Sequence, residues 1–334
     1  MLKALNEMDY THDLAGRIYA KAGAFDSLVT WAPSWAKLEP QQGQIDKSQW
    51  VPFDTDVAAA HADGLKTFVA CSSQCPSWAI LRNGKGIASG RVPPDDLNPS
   101  EPWAKYIERV LLRHPHVQGI IVMNEPNLGF IEAPRRFIQD TAALIKTAAT
   151  VWQRNHATPI LLAPACADLP DGSGWASVKY FTEGVLMQLQ GWKPPKGVQF
   201  GWAHHPYNDV REHRPTMNGK PLVQDVLNLL GKYKRERRIW LTEGGYEFQT
   251  ELNPNYPGGY YWRETRLTQQ EQEQLVGVQD FVRWCKKWHP ILGKVEMFAQ
   301  YLYQDTELSG GGWMSGLVRY DGTPRPLRAE WKSL

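Results

Sequence analysis

The sequence predicts an α/β chain folded as a single (β/α)8 barrel with a short first strand and extended βα loops. Three observations carry this prediction. Short β-branched runs alternate with amphipathic helical stretches from near the N-terminus to about residue 305. The length of 334 residues falls in the size range of one such barrel. Two glutamates, Glu125 and Glu243, each close an apolar run, and a buried parallel strand presents reactive side chains only at its end. No Gly/Ser linker, fixed-period repeat or low-complexity tract interrupts the series, so residues 1–334 are expected to form one domain.

Taken in order, the first strand has only Leu2-Lys-Ala-Leu5 available, ahead of a helix at 13–22. Either this strand is short or the chain given starts late; the short strand is preferred, because a barrel lacking a strand exposes two edges. Further strands are predicted at 28–32, 66–71, 119–124, 160–165, 199–204, 238–243 and 295–301, all rich in Val, Ile, Leu or Phe. The helices between them space apolar residues by three and four, as in Leu222, Val226, Leu229, Leu230 and Tyr233. Thr268 with Glu271 has the capping-box spacing, Pro134 and Pro221 suit first helical turns, and Gly64 suits a helix end.

Composition narrows the function classes. The 37 basic and 35 acidic residues give a net charge of +2 without long blocks, which indicates no nucleic-acid or anionic-membrane surface. No apolar run of about 18 residues exists and charges occur throughout residues 1–20, so neither a transmembrane helix nor a signal peptide is visible. The chain reads as soluble, with a secreted mature form and a cytoplasmic one both open. Cys71, Cys75, Cys166 and Cys285 show neither paired CxxC motifs nor zinc spacing and read mostly as core residues, with a loop bridge between Cys71 and Cys75 the alternative in a secreted protein. The 15 Trp and 13 Tyr are too many for a core to hide entirely, and an indole face suits the C–H face of a pyranose.

Several motifs then fall in order. Trp35-Ala-Lys-Leu-Glu-Pro40 with Gly43 and Asp46 follows the second strand, and Pro76-Ser-Trp-Ala79 the third. Asn124-Glu125-Pro126-Asn127 closes the fourth, His205-Pro-Tyr207 the sixth and Thr242-Glu243 the seventh. Gly316-Leu317 through Asp321-Gly-Thr-Pro-Arg-Pro326 closes the chain. Over about residues 23–326 this series resembles the retaining glycoside hydrolases of clan A, the 4/7 superfamily, of the family 39-like or family 5-like kind.

The resemblance implies an O-glycosyl hydrolase acting by double displacement on β-glycosidic bonds. Glu125 would be the acid/base and Glu243 the nucleophile, with carboxyls about 5–5.5 Å apart. Glu125 would need a raised pKa, from partial burial and from the charge of Glu243. Asn124 is expected to hydrogen-bond the sugar 2-hydroxyl, Tyr207 to orient Glu243, and His205 to line the same cavity. His204 points away, since consecutive strand residues face opposite sides. The expected partner is a carbohydrate, with no cofactor, no metal, and a monomeric chain.

Among the aromatics, Trp31, Trp152, Trp240, Trp284 and Trp288 are assigned to packing. Trp35, Trp78, Trp202, Trp262 and Trp313 lie at strand ends or in loops and are expected to contact substrate, with Trp35, Trp78 and Trp313 chosen as sugar platforms. Glu39 is assigned a structural role. Two positions depart from the clan pattern: Thr30 stands where its members carry Arg, and strand eight offers Phe298, Gln300 and Tyr301 in place of Trp, so Tyr301 or Trp313 would take the stacking role. Long inserts at 80–100, 168–176, 208–220 and 248–266 would wall the cleft, and the many loop aromatics favour endo action. Two other readings are a non-hydrolytic carbohydrate-binding barrel and a metal-dependent hydrolase built on His12, His204 and His205.

Overall fold

The computed structural model describes residues 1–7, 10–72, 75–79, 102–129, 134–171, 177–214, 220–246, 248, 251–252, 260–261, 264–287, 293–305, 314–319 and 321–334. Eight parallel strands close into a barrel: β1 (Leu2–Asn6), β2 (Ser27–Trp31), β3 (Lys66–Ala70), β4 (Gly119–Ile121), β5 (Ile160–Ala167), β6 (Phe200–His205), β7 (Arg238–Gly244) and β8 (Lys294–Tyr301). The short first strand suffices for closure, pairing with β8 from Leu2 opposite Met297 to Asn6 opposite Tyr301. A two-residue antiparallel ribbon, Glu251–Leu252 with Tyr260–Tyr261, stands apart from it.

Each strand leads to a helix on the outside: α1 (Leu14–Tyr19), α2 (Trp50–Ala62), α3 (Pro102–Arg113), α4 (Pro134–Arg154), α5 (Val178–Gln188), α6 (Leu222–Lys232), α7 (Glu264–Lys286) and α8 (Pro326–Glu330). Their buried residues follow the helical period; α3 buries Trp103, Ala104, Tyr106, Ile107, Val110 and Leu111. Pro134 opens α4, as expected, while Pro221 stands one place before the first turn of α6, at its N-cap with extended backbone. The capping-box expectation at Thr268 does not hold: α7 begins at Glu264, so Thr268 lies inside the helix. Glu271 is used differently, by Arg319 and Arg325. None of the helices among the described residues is long and apolar enough to cross a membrane.

Alternation along the strands sorts side chains into two apolar layers. Ala4, Val29, Phe68, Ile121, Leu162, Ala203, Trp240 and Met297 fill the barrel, while Leu5, Leu28, Val69, Ile120, Trp202, Ile239 and Leu241 face the helices. Gly201 belongs to the inner set because Trp240 occupies the space where its Cβ would stand, 2.3 Å from a ring carbon.

Three bulges break this alternation, one of them in β8, which takes two steps from Val295 to Met297 while β7 takes one, from Ile239 to Trp240. From Leu162 to Ala165 β5 takes three steps while β6 takes two, from Gly201 to Ala203. Pro164, which has no N–H to give a ladder, sits in the extra step. From Leu241 to Gly244 β7 likewise takes three steps against two on β8, from Phe298 to Gln300. Glu243 shares the parity of the outward Ile239 and Leu241, and the added residue turns it inward.

The chain end seals the barrel. Arg325, fully buried, meets Glu271 of α7 and Asp305 beyond β8, donates to the Gly316 carbonyl at 2.8 Å and lies 4.1 Å over the Phe248 ring. Trp331 packs on Phe25 and Phe298 and donates to the Ala24 carbonyl.

Candidate active site

The ends of β4, β6 and β7 bring Glu125, His205 and Glu243 together. One polar atom of each lies within 4.8 Å of the other two. His205 follows Gly201 and Ala203 on the inner face of β6, and its Nδ1 is 2.9 Å from Glu125 Oε1 and 3.9 Å from Glu243 Oε2. Tyr207 donates its hydroxyl to Glu243 Oε1 at 2.8 Å. Tyr301, at the end of β8, stands edge-on to Tyr207 with ring centroids 6.4 Å apart.

Each group is held by its own element. Glu125 takes a positive φ of 45°, a conformation that costs a non-glycine residue of order 1–3 kcal/mol and persists where the surroundings fix it. They do so here. Glu125 N donates to the Ala165 carbonyl at 2.7 Å, and two residues on the Asn127 side chain both donates to and accepts from the Ala167 backbone. Asn124 bridges Ala165 through its backbone and is half-buried beside the glutamate.

Tyr207 opens a one-turn helix, Tyr207–Arg211, pinned from both sides. Asp168 at the end of β5 accepts from the Asn208 and Asp209 amides, and Asp209 accepts from Leu222 N at 2.7 Å and Val223 N at 3.0 Å, capping α6. Beside β7, Asn6 donates to the Thr242 carbonyl at 2.8 Å and accepts from the Trp31 indole at 3.0 Å. Gly245 follows Glu243 at φ 144°, where a Cβ would stand 2.8 Å from Gln300 Nε2.

Electrostatics separate the groups. The structure raises the Glu243 carboxyl, to about 7. Burial is the main cause, Glu125 adds to it, and His205 and the Tyr207 hydroxyl oppose it. Burial disfavours a charged His205, but Glu243 and Glu125 outweigh it and hold the imidazole above its ordinary pKa. His204, by contrast, is buried facing the helices with Nδ1 on the Cys166 carbonyl, and burial pushes it down to about 3.

Chemically, the two glutamates, His205 and Tyr207 can hold and pass a proton across a gap that carboxylates face from both sides. The chain's similarities to known proteins are confined to structure. No protein-family model and no curated protein matches the sequence. Among solved structures, a triple mutant of the endo-beta-1,4-glucanase from Xanthomonas axonopodis pv. citri superposes with a TM-score of 0.62 at 15% identity, over 99% of this chain and 98% of that one. The endo-1,4-beta-xylanase from Caldicellulosiruptor owensensis gives 0.63 at 13%, over 100% and 97%. The beta-glucosidase from Thermotoga maritima, in complex with azafagomine, gives 0.61 at 11%, over 97% and 86%. These likenesses establish a shared barrel fold.

Two of the tryptophans expected to contact substrate are buried. Trp35 is 1% exposed: it stacks on Tyr106 with centroids 5.8 Å apart and donates to Glu39, so it offers no face to a ligand. Trp202, also 1% exposed, lies between barrel and helices. The cavity of about 550 Å³ that it borders is lined by Ile160, Phe200 and Arg238, the first residues of β5, β6 and β7, at the end of the barrel away from the glutamates. Trp78 is half-buried, edge-on to Trp35, with its indole N–H on the Glu39 carbonyl. Trp262 and Trp313 fall outside the described residues.

Glu39 is the hub beneath these rings, accepting from Trp35, Gly43 N and Arg109. Cys71 and Cys75 are buried and not joined in a disulfide. At the end of β2 alternation turns Thr30 outward with Leu28 and Trp31 inward with Val29, so the inner position there is held by an indole that the sequence reading gave to packing. Asn6 and Glu7 were also missed. Glu7, at the end of β1, is buried and bears on the Tyr301 hydroxyl; the signal available was their place directly after the first strand.

Proposed function

We propose that the protein is a retaining glycoside hydrolase that cleaves β-glycosidic bonds of an oligo- or polysaccharide, with residues 1–334 as one catalytic unit. The observation that carries this reading is the approach of the Glu125 and Glu243 carboxyl oxygens to within 4.8 Å across the ends of β4 and β7. That spacing leaves no room for the extra water of an inverting mechanism and suits direct attack on the anomeric carbon. The motif resemblance to clan A and the barrel neighbours, two of which are named for β-1,4-glucan and β-1,4-xylan cleavage, support the same class. A carbohydrate is the partner this implies.

In this reading Glu125 protonates the leaving oxygen while Glu243 attacks, forming a glycosyl ester; Glu125 then takes a proton from the incoming water. Tyr207 fixes the attacking carboxylate, and Asn124 is placed beside the sugar. Endo action is the finer proposal, resting on the number of loop aromatics. Because Glu243 must be ionised to attack and its pKa is raised to about 7, kcat/KM should fall as pH drops through that value.

A panel of β-linked polysaccharides and aryl β-glycosides tests the proposal on wild type, Glu125→Gln and Glu243→Gln. Glu243→Gln is expected to lose turnover on every substrate, while Glu125→Gln keeps activity on aryl glycosides with good leaving groups, with retained configuration by NMR. Near wild-type rates in both variants, or an inverted product, would refute it. A second reading is a metal-dependent hydrolase, because Glu125, His205 and Glu243 have the spacing of metal ligands. Stoichiometric zinc and activity lost to EDTA would favour that reading over this one.

A further inference from the structure

The cavity at the end of the barrel away from the glutamates is basic as well as apolar. It lies between the first residues of β5, β6 and β7 and the loops that follow α5 and α6, and measures about 550 Å³, within the range of small-molecule sites. Four cationic side chains, Lys193, Lys234, Arg235 and Arg238, border it against one carboxylate, Glu236. Val198, Phe200, Leu230 and Trp240 supply the apolar wall.

Most of that positive charge is unanswered. Arg238 is paired, with Glu296 at 2.6 Å and Glu236 at 3.6 Å. Lys193, Lys234 and Arg235 form no ion pair among the described residues. Arg235 is the most constrained of the three. Its Nη2 donates to the Leu189 carbonyl at the end of α5, its guanidinium lies 5.6 Å over the Trp192 ring, and its buried Nε meets no acceptor among the described residues. Burial holds its pKa below the ordinary arginine value. Lys234 stands two residues past α6 at φ 55°, where a helix end favours glycine, so a lysine is carried there at a cost in backbone strain.

We propose that this cavity binds a small amphipathic anion, with an apolar body against Phe200, Leu230 and Trp240 and an anionic head among Lys193, Lys234 and Arg235. The lining selects that class. A metal cation is repelled by the surplus of positive charge. An uncharged apolar ligand covers the cations without compensating them, and a bare inorganic anion leaves the apolar wall in water. An organic carboxylate or phosphate satisfies both surfaces and gives Arg235 Nε an acceptor in a charge-assisted hydrogen bond. The site does not depend on the glycosidase reading, because Glu125 and Glu243 stand at the other end of the strands.

Isothermal titration calorimetry with three probes tests the site: 2-naphthoate, its uncharged amide 2-naphthamide, and inorganic phosphate. Wild type is expected to bind one 2-naphthoate, about tenfold or more tightly than either of the other two, and less tightly as salt is raised. The double variant Lys193→Gln with Lys234→Gln changes two exposed side chains, so the fold is retained. It should weaken 2-naphthoate about tenfold and leave 2-naphthamide unchanged. Val198→Trp fills the cavity without altering a charge and should weaken both aromatic probes. Equal affinity for acid and amide, phosphate binding as tight as 2-naphthoate, 2-naphthoate binding that neither variant disturbs, or no binding at all would each overturn the proposal.

Discussion

Tyr207 shows how much one hydroxyl is asked to do. Among the described residues its bond to Glu243 Oε1 is the only hydrogen bond that carboxylate receives, and none of them donates to the buried Oε2. A hydrogen bond to the charged form lowers a carboxyl pKa, so removing it raises Glu243 further and narrows the pH range in which it is ionised. Tyr207→Phe should therefore move the acid limb of the kcat/KM profile upward and lower kcat about 10- to 100-fold, the value of a bond to a charged group; an unmoved limb would show that the phenol does not govern this ionisation. The same scale exposes the errors of sequence reading. The alternation that excluded His204 also excludes Trp202, two positions earlier on the same outer face. Trp35 and Glu39, four apart, meet across a single helical turn, a pairing of indole and carboxylate that the choice of Trp35 as a sugar platform overlooked.

At the scale of elements, the βα loops are tied down by side chains that cap their neighbours. Asp209 joins the turn bearing Tyr207 to the first amides of α6, and Asp168 joins that turn to β5. Asp209→Ala strips two buried amides of their acceptor and should cost about 1–2 kcal/mol of stability by urea unfolding. The turn should loosen with it, so kcat falls while Glu243 itself is untouched. Strand positions were legible in the sequence because apolar runs of the right length flanked by helical periodicity have few other readings. The site was legible in part: Glu125 and Glu243 close such runs, and Tyr207 and His205 came with the motif. Pairing between strands distant in sequence was not, which hid the Asn6 link from β1 to β7 and the extra residues in β5 and β7.

At the scale of the whole molecule, β1 closes the barrel and residues beyond β8 tie its loops to α7. Arg325 has no exposed surface and answers the charges of both Glu271 and Asp305, so Arg325→Met leaves two buried carboxylates and should cost about 3–5 kcal/mol. A loss under 1 kcal/mol in denaturant unfolding would show that Arg319, which also holds Glu271, is enough. The miscounted step in β7 reaches further. In an idealised barrel with even pairing, a glutamate at position 243 would sit among the apolar helix faces beside Leu241, an uncompensated charge costing several kcal/mol. The residue and the irregularity are thus useful only as a pair: an ancestor that gained either one alone would have gained a defect, and a designer grafting this chemistry onto another barrel must transplant the extra backbone step along with the side chain.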